Sequence, residues 1–131
     1  MKNTHQILVV DDNAISRTAT TLTVQSFGLE TEEASDGEEA LKKVQVNYYA
    51  VILMDCNMPT MNGFECTKKI RELEKNTTVR MSIIGLTSNV ASDIKEQCLE
   101  AGMDAYINKA CSFEELRHQV SKWAIRAVCN H

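Results

Sequence analysis

Five polar side chains in this sequence lie at the ends of apolar segments, and their types suit chemistry on a phosphoryl group. They are Asp11, Asp12, Asp55, Thr87 and Lys109. The apolar segments that lead to them cover residues 6–10, 50–54, 82–87 and 105–108. Carboxylates bind hard cations and can attack phosphorus, while a hydroxyl and an ammonium group stabilise phosphoryl oxygens.

Three carboxylates close together need a counter-ion. Two like charges about 4 Å apart repel by about 4 kcal/mol at an effective dielectric constant near 20. A set of oxygen ligands that leaves room for water and a phosphoryl oxygen favours Mg²⁺. Asp55, in the middle of the predicted site, is then the candidate nucleophile, with Thr87 and Lys109 binding the transferred group. The alternative is structural: Lys109 and Asp12 form an ion pair, and Thr87 caps a strand.

These side chains meet only if the segments that carry them are parallel strands. Continuous apolar runs predict buried strands at residues 6–10 and 50–55, with further strands at 29–34, 82–87 and 105–108. Helical spacing predicts helices between them, at about 14–27, 37–46, 64–75 and 91–101, and a last helix after residue 112. This alternation predicts an α/β fold: a doubly wound parallel five-stranded sheet with helices on both faces. The carboxyl ends of its strands share one edge, where such folds bind ligands.

Helix signals and apolar spacing indicate how each helix starts and packs. Asn13, Asp36 and Ser112 are predicted N-caps, the last in a capping box with Glu115, and Gly28 and Gly102 are predicted stops. The apolar repeats that define the helices are Ile15, Ala19 and Leu22; Ala40, Leu41 and Val44; Phe64, Ile70 and Leu73; Ile94, Cys98 and Ala101; and Phe113, Leu116, Val120 and Ala124. The apolar face of the helix predicted at about 91–101 is thin. We therefore expect this helix to be the least firmly packed.

Length and charge narrow the possible functions. The 131 residues fit a single domain, 1–131, with a core over about 6–126. A net charge of −4 argues against a direct nucleic-acid-binding face. The absence of an apolar signal or membrane-length run predicts a cytoplasmic domain without membrane contact. Five cysteines without a C-x-x-C pair predict reduced structural thiols. Cys56 directly follows Asp55, and the sequence leaves its reactivity open.

The motifs at the strand ends resemble those of the receiver domains of two-component response regulators. The residues that carry the resemblance are Val9 to Asn13, Leu53 to Pro59, Met61 to Gly63, Leu86 to Ser88, and Lys109. The stretch from Met54 to Gly63 looks most like the receiver domains of hybrid sensor histidine kinases. The resemblance spans nearly the whole chain and implies the flavodoxin-like strand order 2-1-3-4-5.

The same resemblance implies a phosphorelay function. Asp55 would accept a phosphoryl group from the phosphohistidine of a histidine kinase or a histidine phosphotransfer domain. Asp11, Asp12, Asp55 and the backbone carbonyl of Asn57 would hold Mg²⁺. The domain would be a phosphoacceptor with slow self-dephosphorylation and not an enzyme, although a hybrid parent chain would be a histidine kinase.

The resemblance also implies a switch. Thr87 would move toward the bound phosphoryl group and Tyr106 would change rotamer with it. The face formed by the fourth helix, fifth strand and fifth helix would then bind a downstream partner. From the residues alone, an aromatic side chain such as Tyr106 on a short strand is more often part of the core.

Ala110 departs from the family pattern, which has a proline in a cis peptide bond after the lysine. A cis bond before a residue other than proline costs about 2.5–4 kcal/mol. We therefore expect a trans Lys109–Ala110 bond, and a trans path is expected to shift the Lys109 ammonium outward from Asp55.

A Mg²⁺-dependent phosphohydrolase with an aspartyl nucleophile is the alternative function. Such an enzyme needs a second carboxylate as acid and base shortly after its nucleophile. Cys56 and Asn57 occupy those positions here, which disfavours the alternative.

Overall fold

Five parallel strands alternate with five helices in the computed structural model, which describes residues 6–88 and 92–129. The strands are β1 (Ile7–Val10), β2 (Thr31–Ala34), β3 (Val51–Asp55), β4 (Ser82–Thr87) and β5 (Ala105–Asn108). The helices are α1 (Ala14–Gln25), α2 (Gly37–Val46), α3 (Gly63–Glu74), α4 (Ile94–Ala101) and α5 (Phe113–Cys129). Within the described residues, no helix is both long and apolar enough to cross a membrane.

The strand order is β2-β1-β3-β4-β5 and every pairing is parallel, which confirms the predicted fold. Val10 of β1 is in register with Met54 of β3, and Asp55 is in register with Leu86 of β4. The carboxyl ends of these three strands are therefore level with one another. This alignment places the residues that follow β1 and β3 at one point on the sheet edge.

Alternate residues of the buried strands supply two separate core clusters, one on each face of the sheet. Leu8 and Ile52 belong to the cluster that includes Ile70 of α3. Val9 and Leu53 belong to the other cluster, which includes Val24 of α1 and Val120 and Ala124 of α5. Because side chains alternate across a strand, a continuous apolar run is what a sheet covered on both faces requires.

Side-chain caps fix where the helices begin. Asn13 accepts a hydrogen bond from the Ser16 N–H, and Asp36 accepts one from the Glu39 N–H, as predicted. A complete capping box that was not predicted joins Asn62 and Glu65 at the start of α3. At α5, the predicted box shows the hydrogen bond from the Glu115 N–H to Ser112 Oγ, at 3.1 Å.

The apolar repeat that predicted α1 is not its buried face. Ile15 is 83% exposed and Leu22 is 60% exposed, whereas Thr21 and Val24 pack inward. Apolar spacing identifies a helix, but the neighbouring elements decide which side they cover.

Two other side chains that were predicted to point inward do not. Leu73 is 42% exposed, because it lies in the last turn of α3 and lines a groove with Val46 and Tyr48. Phe113 is 51% exposed, and its ring packs edge-on against Phe27 with centroids 5.1 Å apart. Ile70 is fully buried, as predicted.

The helix α4 begins at Ile94, three residues after its predicted start at Ala91, which lies outside the described residues. Its buried residues are Ile94, Cys98 and Ala101, as predicted. Gly102 ends it with φ +104°, and Gly28, with φ +86°, is the other left-handed glycine after a helix. Both stops agree with the sequence prediction.

Candidate functional site

Three carboxylates converge at the edge where β1 and β3 end. One oxygen from each of Asp11, Asp12 and Asp55 lies within 4.8 Å of the others. Asp11 and Asp55 are buried, while Asp12 is exposed. The sheet register therefore brings together acids that lie more than forty positions apart in the sequence.

The Lys109 ammonium group lies between the two buried acids. Its Nζ is 3.3 Å from Asp55 Oδ2 and 3.4 Å from Asp11 Oδ2. The structural alternative paired Lys109 with Asp12, and the structure replaces that pair with these two contacts. No peptide bond among the described residues is cis, so the Lys109–Ala110 bond is trans as expected. The expected outward shift of the ammonium group is wrong, because the trans path still places it at Asp55.

The backbone after β1 and the first turn of α1 orient Asp11. The Asn13 N–H donates to Asp11 Oδ1 at 3.0 Å, and Ser16 Oγ donates to Asp11 Oδ2 at 2.7 Å. Arg17 Nη1 donates to the Asp11 carbonyl at 2.8 Å. Sequence reasoning missed the roles of Ser16 and Arg17. Their position in the first turn after the acid pair was the available signal.

The two buried carboxyl groups have different proton affinities. Burial raises the pKa of Asp55 to about 6, against the opposing effects of the Asn57 N–H and Lys109. Burial also acts on Asp11, but hydrogen bonds from Asn13 and Ser16 and the charge of Lys109 hold its pKa below the usual value. Asp11 is therefore the firmly ionised member, and Asp55 is the one most poorly compensated by the protein alone.

Thr87 and Asn57 each form a hydrogen bond with a residue of this site. Thr87 is buried at the end of β4, and its carbonyl accepts a hydrogen bond from the Lys109 N–H at 2.8 Å. Asn57 is exposed, and its N–H donates to Asp55 Oδ1 at 3.1 Å. Tyr106 is 41% exposed on β5, which corrects the core position favoured by the residues alone. It lines a groove with Lys95, Leu99 and Trp123.

Gly63 sets how closely α3 approaches the end of β3. A Cβ atom at this position would lie 2.3 Å from the Asp55 carbonyl oxygen and 2.9 Å from Cys56 Cα. The Gly63 N–H also donates to the Cys56 carbonyl at 3.2 Å. The glycine in the Met61 to Gly63 motif thus allows backbone to pack directly against the backbone of Asp55.

Cys56 has the environment of a buried structural thiol. It is buried, and burial raises its pKa to about 12, so the nucleophilic thiolate is scarce at neutral pH. Cys56, Cys66, Cys98 and Cys111 are all free thiols, as predicted. The side chain of Cys129 lies outside the described residues.

The donor set fits a hard divalent cation. Three carboxylates face a single ammonium group, so the cluster carries an excess of negative charge when it is ionised. Two of the acids are buried, where repulsion is screened less than at the surface. Oxygen donors without sulfur or imidazole suit Mg²⁺ better than a softer metal.

Comparisons with known proteins agree with this geometry. The response regulator receiver domain family matches residues 7–121. The sensor histidine kinase RcsC of Escherichia coli is 34% identical over 120 residues, which are 92% of this chain and 12% of that protein. The hybrid signal transduction histidine kinase L of Dictyostelium discoideum is 35% identical over 122 residues, which are 90% of this chain and 7% of that protein. The chain therefore spans a small part of the length of these relatives.

Solved structures resemble the whole fold. The chemotaxis protein CheY4 of Vibrio cholerae has a TM-score of 0.83 and 32% identity, covering 91% of this chain and 98% of that one. The receiver domain of the sensor histidine kinase PA1611 from Pseudomonas aeruginosa has a TM-score of 0.82 and 33% identity, covering 92% and 98%. That structure has a magnesium ion coordinated in its active-site cleft. Because the family model covers residues 7–121 and these relatives match over about nine-tenths of its length, this chain belongs to the response regulator receiver domain family.

Proposed function

We propose that Asp55 accepts a phosphoryl group from a phosphohistidine, and that the chain works as a receiver in a two-component phosphorelay. The observation that carries this proposal is the pairing of Asp55 with both a cationic side chain and two further acids. Lys109 Nζ lies 3.3 Å from the Asp55 carboxylate, and Asp11 and Asp12 converge on the same point. A carboxylate in such a setting is the expected nucleophile for an aspartyl phosphate.

The residues around Asp55 have separate roles in phosphoryl transfer. Asp11, Asp12, Asp55 and the backbone carbonyl of Asn57 would hold Mg²⁺, which supplies neutralisation of charge on the phosphoryl oxygens when bound. Lys109 would move from its present ion pairs to a phosphoryl oxygen, because that group carries more negative charge than a carboxylate. In the transfer, an Asp55 oxygen forms a bond to phosphorus as the phosphorus–nitrogen bond of the donor histidine breaks.

Phosphorylation would then be read at the exposed face formed by α4, β5 and α5. Thr87 would bond to a phosphoryl oxygen, and the half-exposed ring of Tyr106 would change rotamer. The donor is a histidine kinase or a histidine phosphotransfer domain, and a downstream partner binds this face. We propose a cytoplasmic location and a single receiver domain over residues 1–131, within a hybrid kinase or as a separate regulator.

Labelling with a small phosphodonor tests the proposal. Wild-type protein incubated with acetyl phosphate and Mg²⁺ should gain one phosphoryl group, measured by intact-protein mass spectrometry. Asp55→Asn should gain none, because the amide cannot form an acyl phosphate. Glu38→Gln is the matched control, since Glu38 lies near Asp12 in a neighbouring groove but outside the acid cluster.

The outcome also separates a switch from an enzyme. A receiver holds a stoichiometric label that decays slowly. A phosphohydrolase instead releases many equivalents of phosphate from acetyl phosphate without accumulating a label. Full labelling of Asp55→Asn would refute Asp55 as the acceptor, and rapid multiple turnover by the wild type would favour the phosphohydrolase.

A further inference from the structure

Arg71 on α3 joins three other segments at the sheet edge opposite the acid cluster. Its side chain is 14% exposed, and its nitrogens donate to four acceptors, three of which lie outside α3. Nε bonds to the Gly102 carbonyl at 2.9 Å, and Nη1 bonds to the Met81 carbonyl at 2.8 Å. Nη2 bonds to Asp104 Oδ2 at 2.9 Å. One planar guanidinium group thus ties α3 to the start of β4, the end of α4 and the start of β5.

The partners of Arg71 are themselves fixed. Asp104 Oδ2 also accepts the Ile83 N–H at 2.8 Å, and the Asp104 N–H donates to the Ile83 carbonyl at 2.8 Å. Glu74 holds Arg71 Nη1 at 2.7 Å and accepts the Met81 N–H at 2.8 Å. The acceptors around the guanidinium group are therefore anchored to the sheet, so Arg71 has little room to move.

The two ends of α4 are held very differently. At the carboxyl end, Gly102 adopts φ +104°, and the Met103 N–H donates to the Cys98 carbonyl at 2.9 Å. A Cβ atom on Gly102 would lie 2.9 Å from Arg71 Cγ, so the arginine also packs directly on this turn. At the amino end, the N-cap residue Asp93 makes no side-chain capping hydrogen bond and instead accepts one from Gln97 Nε2.

The end of α4 without a side-chain cap is the end that follows the phosphorylation edge, and its first residue, Ile94, is buried in the core. The chain leaves that edge at Thr87 and enters α4 at Ile94, seven positions further on. The anchored end, Gly102, lies at the opposite edge, where β5 begins. Along the chain, Thr87 is therefore closer to the end of α4 whose N-cap residue, Asp93, makes no side-chain capping hydrogen bond.

We propose that Arg71 is a positioning residue that makes the carboxyl end of α4 a fixed pivot. Phosphorylation of Asp55 then moves the amino half of α4 while residues 99–103 stay in place. This inference rests on the proposed function, since it describes how the α4 part of the output face responds. It assigns the pivot to one side chain on α3, which touches neither the acid cluster nor Thr87.

Amide hydrogen exchange in two states tests the pivot. The protein is compared in Mg²⁺ alone and in Mg²⁺ with beryllium trifluoride, an analogue of the phosphoryl group. In the wild type, exchange at residues 95–97 should change by about tenfold on adding the analogue, and exchange at 99–103 by less than about twofold. In Arg71→Lys, the change should spread to 99–103, because one ammonium group cannot reach Gly102, Met81 and Asp104 together.

Arg80→Gln is the matched control. Arg80 also bonds to Asp104, at 2.8 Å, but from an exposed position, and within the described part of the chain it has no hydrogen bond to Gly102 or Met81. Its exchange pattern should match the wild type. If the exchange change also spreads to residues 99–103 in Arg80→Gln, then ion pairing to Asp104 in general, and not the Arg71 anchor, keeps those residues in place.

The wild-type result alone can overturn the pivot, so the test survives a variant that folds poorly. Equal changes across 95–97 and 99–103 on adding the analogue would refute it, as would an Arg71→Lys pattern identical to the wild type. Failure of the proposed function looks different. In that case beryllium trifluoride would produce no fluorine resonance of a bound species and no exchange change at Asp55.

Discussion

Gly63→Ala tests whether the close backbone approach of α3 positions the phosphoacceptor. The added methyl group would lie 2.3 Å from the Asp55 carbonyl oxygen, 2.9 Å from Cys56 Cα and 3.0 Å from the Asp55 carbonyl carbon. These are backbone atoms of Asp55 and of the residue that follows it, so no flexible side chain can rotate away. Reaching even a 3.0 Å contact requires the two backbones to separate by 0.7 Å, the difference between 3.0 and 2.3 Å.

The magnitude follows from two opposing effects. Forcing an extra carbon into a packed region costs about 1–3 kcal/mol, and the value should lie in the upper part of this range because backbone must move. Alanine regains up to about 1 kcal/mol over glycine in a helix, and less at a first helical position such as this. We therefore expect a net loss of about 1–2.5 kcal/mol in the free energy of unfolding. A shift approaching 1 Å at a reacting group should slow phosphorylation by about 10- to 100-fold.

Two measurements on one pair of variants check this. Urea unfolding gives the free energy of unfolding, and labelling by acetyl phosphate with Mg²⁺ gives the phosphorylation rate. Gly28→Ala is the control, since Gly28 also resists substitution, with φ +86°, but a Cβ there would meet nothing within 4 Å. It should lose about 1–2 kcal/mol through its left-handed backbone and keep the wild-type phosphorylation rate.

The comparison separates a local effect on Asp55 from general destabilisation. If Gly63→Ala is phosphorylated at the wild-type rate, the close approach of α3 to Asp55 does not position the carboxylate. If Gly28→Ala slows phosphorylation as much as Gly63→Ala, the loss reflects stability alone. Either result would refute the reasoning.

Three further predictions concern the metal, the core and pH. Mg²⁺ should raise the melting temperature by binding only the folded acid cluster, and Asp12→Ala should abolish most of this gain; an unchanged shift in the variant would contradict the site. Ile70→Ala should cost about 2–5 kcal/mol and Leu73→Ala about 1 kcal/mol or less in urea unfolding, because Ile70 is buried and Leu73 is 42% exposed; equal losses would contradict the observed faces of α3. The hydrogen bond from Tyr49 Oη to Glu32, at 2.6 Å, lowers the pKa of Glu32, so it contributes stability at neutral pH that is lost as the pH falls through that lowered pKa. Tyr49→Phe should therefore lose about 1–2 kcal/mol at pH 7 and less in acid; a constant loss across this range would be inconsistent with an ionised acceptor.

The sequence alone determined the elements and which polar side chains would meet at one edge of the sheet. The continuous apolar runs at β1 and β3 are typical of strands covered on both faces. The strands predicted at β1, β3 and β4 end at the residues where the structure ends them. Parallel strands bring their carboxyl ends to one edge, so the convergence of Asp11, Asp55 and Lys109 followed from topology. The glycines after α1 and α4 were predictable because only glycine adopts a left-handed backbone without strain.

Tertiary packing decided which way side chains point. Ile15, Leu73 and Tyr106 carry large hydrophobic groups, yet they are exposed because no element among the described residues covers that side of their helix or strand. The position of the Lys109 ammonium group depended on the whole loop after β5. The replacement of the family's proline by Ala110 alone did not determine it. The Arg71 anchor joins segments that are distant in the sequence. Periodicity reports how often a side chain recurs along one element, whereas contacts across elements depend on three-dimensional distances that no local pattern contains.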